Sequence, residues 1–121
     1  MSKVMLIEDD KTMLTLLSTL LKMEGLQIIQ LTTEQSVDDL LATLRREKPD
    51  AALVDVHLKH TNGIDLLVRV RQDPELGFLR ILMSSGLDMS AESKIAGADD
   101  FILKPYMPDE LIQRIRRVLQ K

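Results

Sequence analysis

The stretch KVMLIEDD, residues 3–10, begins as an apolar run and ends in three consecutive acidic residues, Glu8, Asp9 and Asp10. The run VMLI is too short for most helices, and no polar residue interrupts it. Such a run is typical of a strand that is covered on both faces in a parallel sheet. Carboxylates that are crowded at the end of a buried strand repel one another, so another group must offset their charge.

Four further segments have the composition of short strands, namely 26–31 (LQIIQL), 51–54 (AALV), 79–83 (LRILM) and 101–103 (FIL). Helical apolar spacing or helix boundary signals lie between them, over 11–23, 36–48, 64–71 and 108–119, while 91–96 allows one or two helical turns at most. Strands that alternate with helices predict a parallel sheet with helices on both faces, because each right-handed crossover returns the chain to the same end of the sheet. The predicted class is a doubly wound α/β fold with five strands, in one domain over residues 1–121.

Residue types at the predicted helix ends support these assignments. Ser36 and Asp10 are of the types that cap helix N-termini, and Pro108 suits a first helical position. Gly25 follows the first helix, where a left-handed cap would lie. The local sequence therefore predicts both the helices and their boundaries.

Composition excludes several classes of protein. The chain is 45% hydrophobic and 29% charged with a formal net charge of -3, a balance that predicts neither direct nucleic-acid binding nor membrane association. It contains no cysteine, so disulfide frameworks and thiolate metal sites are excluded. The N-terminal residues lack the apolar core of a secretory signal, and no run is long enough for a membrane helix, so we expect a cytoplasmic location.

Polar residues follow four of the five predicted strands. Ligands in doubly wound folds bind beyond the carboxyl ends of the strands, and flavodoxin-like folds have the strand order 2-1-3-4-5. In that order one edge of the sheet carries Glu8, Asp9, Asp55, Ser84, Ser85 and Lys104. We therefore expect a single site at this edge.

The residue types at this edge predict a phosphoryl-transfer centre. Glu8, Asp9 and Asp55 would repel one another unless a hard divalent cation lies between them, and Mg²⁺ (or Mn²⁺) prefers such oxygen ligands. Lys104 suits a phosphoryl oxygen as a point charge, and the hydroxyl of Ser85 can donate to another oxygen. Asp55 is best placed as the nucleophile that becomes an acyl phosphate.

The segments that carry these residues resemble a known family over the whole chain. They are LIEDD (6–10), ALVDVHLKHTNG (52–63), ILMSSG (81–86) and DDFILKP (99–105). Each segment alone is a weak signal, but their order and spacing together resemble the response-regulator receiver domain of two-component signalling, of the chemotaxis-regulator type.

The resemblance implies the roles of the residues around the third strand. Glu8 and Asp9 would form the acidic metal pair, and Asp55 would be the phosphoacceptor. The backbone carbonyl of His57 would ligate the metal, and Val56 would contribute loop backbone to the site.

The resemblance also implies a switch on the other side of the acceptor. The hydroxyl of Ser85 would follow the phosphoryl group, with Gly86 as loop backbone and Lys104 as the cationic partner. The ring of Phe101 would change rotamer on activation, and the peptide bond between Lys104 and Pro105 would be cis.

Three positions depart from the pattern of this family. Lys59 stands where the loop commonly has proline, so this loop is expected to be less rigid. Gly86 replaces a usual alanine and adds backbone freedom. The stretch between Ser85 and Lys104 is shorter than is usual, and the missing residues fall in the fourth helix, which belongs to the surface that the family uses for partners and dimers.

The leading functional hypothesis is a phosphorylation-activated switch that takes its phosphoryl group from a histidine kinase or phosphotransfer protein. This switch would assist its own phosphorylation and dephosphorylation. It would control an output domain or a homodimer. One alternative is a Mg²⁺-dependent phosphohydrolase with an aspartyl nucleophile, although His57 stands where it would need a second acid. A degenerate receiver used only for docking is another alternative. A flavodoxin-like electron carrier is disfavoured, because aromatic residues make up only 2% of the chain.

Other charged residues have simpler interpretations. His57 and His60 are expected to be solvated loop side chains rather than catalytic imidazoles. Arg114, Arg116 and Arg117 are expected to form a solvated helix face.

Overall fold

The computed structural model describes residues 1–31 and 35–120. Its strands are β1 (Lys3–Ile7), β2 (Gln27–Leu31), β3 (Ala51–Asp55), β4 (Arg80–Ser85) and β5 (Asp100–Leu103). Every neighbouring pair is parallel, and the order across the sheet is β2-β1-β3-β4-β5. The predicted doubly wound sheet and its order are confirmed.

Five helices connect and follow these strands. They are α1 (Lys11–Met23), α2 (Val37–Glu47), α3 (Gly63–Gln72), α4 (Ser90–Ala96) and α5 (Pro108–Leu119). Helix α4 has seven residues, whereas the others have 10 to 13, so the expected short fourth helix is present. None of the helices among the described residues is both long and apolar enough to span a membrane.

The helix boundaries follow the local signals in the sequence. Asp10 caps α1 by accepting a hydrogen bond from the backbone N–H of Met13 at 3.1 Å, and Ser36 caps α2 by accepting one from Asp39 at 3.1 Å. Gly25 lies just beyond α1 with a φ of 84°, a left-handed conformation that favours glycine. These contacts confirm the predicted caps.

The sheet separates two apolar layers. Helices α1 and α5 bury Leu14, Leu17, Leu21, Leu111, Ile115 and Val118 on one face. Helices α2 and α3 cover the other face, with Ala96 of α4 packed against the same cluster. Residues 4–7 of β1 are fully buried, as expected for a strand that is covered on both faces.

The register of the sheet aligns the carboxyl ends of four strands. Ile7 of β1 pairs with Val54 of β3, and the next residue of β3, Asp55, pairs with Ser84 of β4. At the far side, Ser85 pairs with Leu103 of β5. Residues that follow these positions therefore meet at one edge, as the sequence predicts.

Candidate functional site

The ammonium group of Lys104 lies between two acidic side chains at this edge. Its Nζ atom donates to Oδ2 of Asp55 at 2.8 Å and to Oε1 of Glu8 at 3.0 Å. Glu8 and Asp55 are only 7% and 8% exposed, so little water screens these contacts. In this structure Lys104 offsets the repulsion between the two carboxylates.

These three groups shift one another's pKa values. Burial and the neighbouring Asp55 raise the pKa of Glu8 to about 7. Burial alone would also raise the pKa of Asp55, but interactions with Glu8 and Lys104 outweigh it and lower that pKa. Burial opposes the charge on Lys104, yet Asp55 and Glu8 raise its pKa. Asp55 is therefore the more acidic carboxyl of the pair.

Asp9 is held by a different part of the chain. Its Oδ2 atom accepts a hydrogen bond from the backbone N–H of Lys59, while Oδ1 is buried and has no hydrogen-bond partner in the described part of the chain. The described residues contain no group of three or more acidic, histidine or cysteine side chains placed to hold a metal. In this structure Lys104 lies beside Glu8 and Asp55, and the amide of Lys59 binds Asp9. A metal site formed by the three carboxylates therefore stays a prediction.

The loop between β3 and α3 is closed by backbone contacts. The N–H of His57 donates to Oδ1 of Asp55 at 3.0 Å, and His57 pairs with Asn62 across the loop. The N–H of Gly63 donates to the carbonyl of Val56 at 2.8 Å. The side chain of His57 is exposed, as expected for a solvated loop histidine.

Gly63 is a site residue that sequence reasoning missed. A Cβ atom at this position would lie 2.2 Å from the carbonyl oxygen of Asp55, so only glycine allows α3 to begin against the backbone of that residue. The pair Asn62 and Gly63 is typical of a helix boundary, and only the tertiary contact with Asp55 makes this glycine part of the site.

Ser85 and Phe101 lie on the neighbouring strands β4 and β5. Ser85 is fully buried, and its Oγ accepts a hydrogen bond from the N–H of Leu87 at 3.0 Å while its carbonyl accepts one from the N–H of Lys104 at 2.8 Å. A Cβ atom at Gly86 would meet nothing within 4 Å, so this position has open space around it. Phe101 is partly buried against the layer of α2 and α3.

The peptide bond between Lys104 and Pro105 is cis, as the resemblance implies. This bond directly follows the residue whose ammonium group binds Glu8 and Asp55.

Comparison with known proteins identifies the chain. Residues 4–116 match the response regulator receiver domain family. The chain belongs to this family. Receiver domains of two-component response regulators are phosphorylation-activated switches that interact with histidine kinases or phosphotransfer proteins, and their function generally depends on Mg²⁺.

Individual relatives agree with this assignment. The transcriptional regulatory protein CpxR of Escherichia coli K12 is 34% identical to this receiver domain over all of the chain and half of its own length. The beryllofluoride-activated N-terminal receiver domain of Klebsiella pneumoniae RstA is 29% identical with a TM-score of 0.85, over 99% of this chain and 100% of that one. The chemotaxis response regulator CheY4 of Vibrio cholerae, at 24% identity, has the same fold, with a TM-score of 0.87 over 98% of each chain. The chain spans about half the length of the curated relatives it matches.

The receiver domain also contains an arginine contact that contradicts the sequence analysis. Arg114 was expected on a solvated helix face, but its guanidinium donates to Oδ1 of Asp100 at 3.1 Å and to the carbonyl of Phe101 at 2.7 Å. Arg116 is exposed and pairs with Glu24 at 2.7 Å. The expectation for Arg114 is wrong because β5 lies beside α5, which the local sequence does not reveal.

Proposed function

We propose that Asp55 is the phosphoacceptor of this receiver domain. The observation that supports it is the ammonium group of Lys104 at 2.8 Å from Oδ2 of a buried aspartate whose pKa is lowered. An oxygen of the Asp55 carboxylate attacks the phosphorus, and the bond from phosphorus to the nitrogen of a phosphohistidine breaks. Lys104 then has a phosphoryl oxygen to bind in place of the free carboxylate.

The residues around Asp55 fit a hard divalent cation, Mg²⁺ or Mn²⁺. Oδ1 of Asp9 is buried and has no hydrogen-bond partner among the described residues, so this carboxyl oxygen needs a donor or a cation. Mg²⁺ commonly uses only one or two carboxylates, with waters and phosphate oxygens as its other ligands, so a cluster of three carboxylates is not required. We propose that Asp9, Asp55, the neighbouring Glu8 and the backbone carbonyl of His57 hold the ion, which neutralises charge on the transferring group when bound.

The contacts of Ser85 and Lys104 suggest how phosphorylation shifts the conformation. In this structure Lys104 binds Glu8 and Asp55, and the hydroxyl oxygen of Ser85 is occupied by the N–H of Leu87. A phosphoryl group on Asp55 offers new acceptors to both side chains. We expect the loop after β4, with Gly86, and the ring of Phe101 to respond, which biases a two-state equilibrium.

The phosphodonor in this proposal is a histidine kinase or phosphotransfer protein. The chain acts as one receiver unit that assists its own phosphorylation and dephosphorylation rather than as a separate enzyme. Its output is a linked domain or a homodimer. We expect no direct nucleic-acid contact from these residues, since the transcriptional role named for CpxR belongs to a protein of about twice this length.

Intact-mass analysis with acetyl phosphate tests this proposal. The wild-type chain is incubated with and without Mg²⁺ and compared with Asp55→Asn. We expect a phosphoryl adduct only when the metal and Asp55 are both present. Asp65→Asn, at an acid in the first turn of α3, is the matched control and should form the adduct normally.

Each outcome has one interpretation. An adduct on Asp55→Asn would place the acceptor elsewhere. Release of inorganic phosphate through many turnovers without a detectable adduct would favour the phosphohydrolase, and the absence of any reaction with a competent donor would favour a domain used only for docking.

A further inference from the structure

The loop of residues 56–62 holds two acidic side chains with backbone amides. The N–H of His57 donates to Oδ1 of Asp55, and the N–H of Lys59 donates to Oδ2 of Asp9. Because these amides are two residues apart, their nitrogen atoms are at most about 7 Å apart. One short segment therefore sets the distance between Asp9 and Asp55, which follow two different strands.

The contact with Lys59 also fixes the orientation of the Asp9 carboxylate. One carboxylate oxygen is bound by the amide, so the side chain cannot rotate without losing that hydrogen bond. The other oxygen, Oδ1, is buried and has no hydrogen-bond partner within residues 1–31 and 35–120. A buried unpaired oxygen of this kind is unfavourable unless a ligand satisfies it.

We infer that the backbone amide of Lys59 is a positioning donor that orients Asp9 for a divalent cation and thereby sets the affinity of this domain for Mg²⁺. The inference rests on the proposed metal site and adds a residue to it. Lys59 does not touch the ion itself, and its side chain is exposed, so only its N–H acts on the site. Hydrogen bonds to ligating carboxylates typically change metal affinity by about 10–100-fold when they are removed.

Proline at position 59 separates this inference from an effect of loop rigidity. Proline removes the N–H and also restricts the backbone. If stiffness of the loop controlled the site, Lys59→Pro would order the loop and strengthen Mg²⁺ binding. If the hydrogen bond controls the site, the same substitution weakens binding, so the two explanations predict opposite signs.

The test measures Mg²⁺ affinity by titrating the ion into ¹⁵N-labelled protein and following the amide shifts. Lys59→Ala is the matched control, because it removes the same side-chain charge as Lys59→Pro but keeps the N–H. We expect Lys59→Pro to bind Mg²⁺ at least about tenfold more weakly than Lys59→Ala. Thermal melts of both variants without Mg²⁺ establish that each is folded before the titration.

A second measurement uses the wild-type chain and does not depend on how proline is accommodated. Hydrogen exchange of the Lys59 amide should be slow both with and without Mg²⁺, and it should become fast in Asp9→Ala. Equal Mg²⁺ affinity of the proline and alanine variants, tighter binding by the proline variant, or fast exchange in the wild type would each overturn the inference.

Failure of the metal site itself is distinguishable from failure of this inference. If Asp9→Asn leaves the Mg²⁺ titration of the wild type unchanged, the proposed site is misplaced. If Asp9→Asn abolishes binding while the proline and alanine variants bind equally, the site stands and the role of the Lys59 amide is refuted.

Discussion

Replacement of Glu8 by glutamine should stabilise this receiver domain at alkaline pH. Glu8 is 7% exposed, and burial with the neighbouring Asp55 raises its pKa from the ordinary value of 4.5 to about 7. Since one pKa unit corresponds to 1.36 kcal/mol, ionising this group in the folded state costs roughly 3 kcal/mol above pH 7. Glutamine has a similar shape and a carbonyl oxygen for Lys104, but it has no charge to bury.

The sign of this effect follows from proton linkage. Below about pH 4.5 the carboxyl is protonated in both the folded and the unfolded chain, and its contribution to stability is fully present. Between 4.5 and about 7 only the unfolded chain has released the proton, so the free energy of unfolding falls as pH rises. The pKa values of Asp55 and Asp73 are lowered from 3.8, so their contributions are lost only at more acidic pH.

Urea denaturation followed by circular dichroism at pH 5 and pH 8, without divalent cations, measures the difference. We expect Glu8→Gln to exceed the wild type by roughly 3 kcal/mol at pH 8 and by much less at pH 5. Glu92→Gln, at an exposed position of α4, should match the wild type at both pH values. A Glu8→Gln variant with the same pH dependence as the wild type would refute the reasoning.

Two further substitutions test contacts that position the site. Arg71 donates to three backbone carbonyls and one carboxylate near the start of β4 and β5. Arg71→Met should therefore lower the free energy of unfolding by about 2–3 kcal/mol in urea denaturation, whereas the control Arg69→Met removes an exposed ion pair worth about 0–1 kcal/mol. Equal losses in the two variants would contradict this assignment. Gly63→Ala places a Cβ atom 2.2 Å from the carbonyl of Asp55 and should destabilise the domain by about 1–3 kcal/mol in thermal melts, while Gly77→Ala, whose nearest contact is 3.4 Å, should not.

Local patterns were sufficient to predict the elements of this fold. The apolar run of residues 4–7, the caps Asp10 and Ser36, and Gly25 beyond α1 all depend on a few neighbouring residues, and all are found as expected. The differences at element boundaries are small, such as α4 beginning at Ser90 rather than at residue 91. Local hydrogen bonding and periodicity account for this agreement.

The chemical character of the site could be predicted, but its contacts could not. The alternation of strands and helices was enough to place Glu8, Asp55 and Lys104 at one edge of the sheet. Which atoms bind there depends on the competition of several donors for the same oxygen atoms. The residue types at this edge predicted a cation as the balancing charge, whereas the structure has Lys104 between the two buried carboxylates.

The sequence alone determined the sheet, its helices and the types of group that meet at the carboxyl edge, because these follow from which residues are apolar and how they are spaced along the chain. Only the tertiary structure decided that Lys104 binds Glu8, 96 residues away, that the amide of Lys59 binds Asp9, and that Gly63 lies against Asp55. These contacts join distant segments whose separation is set by packing, and no local pattern encodes such a distance.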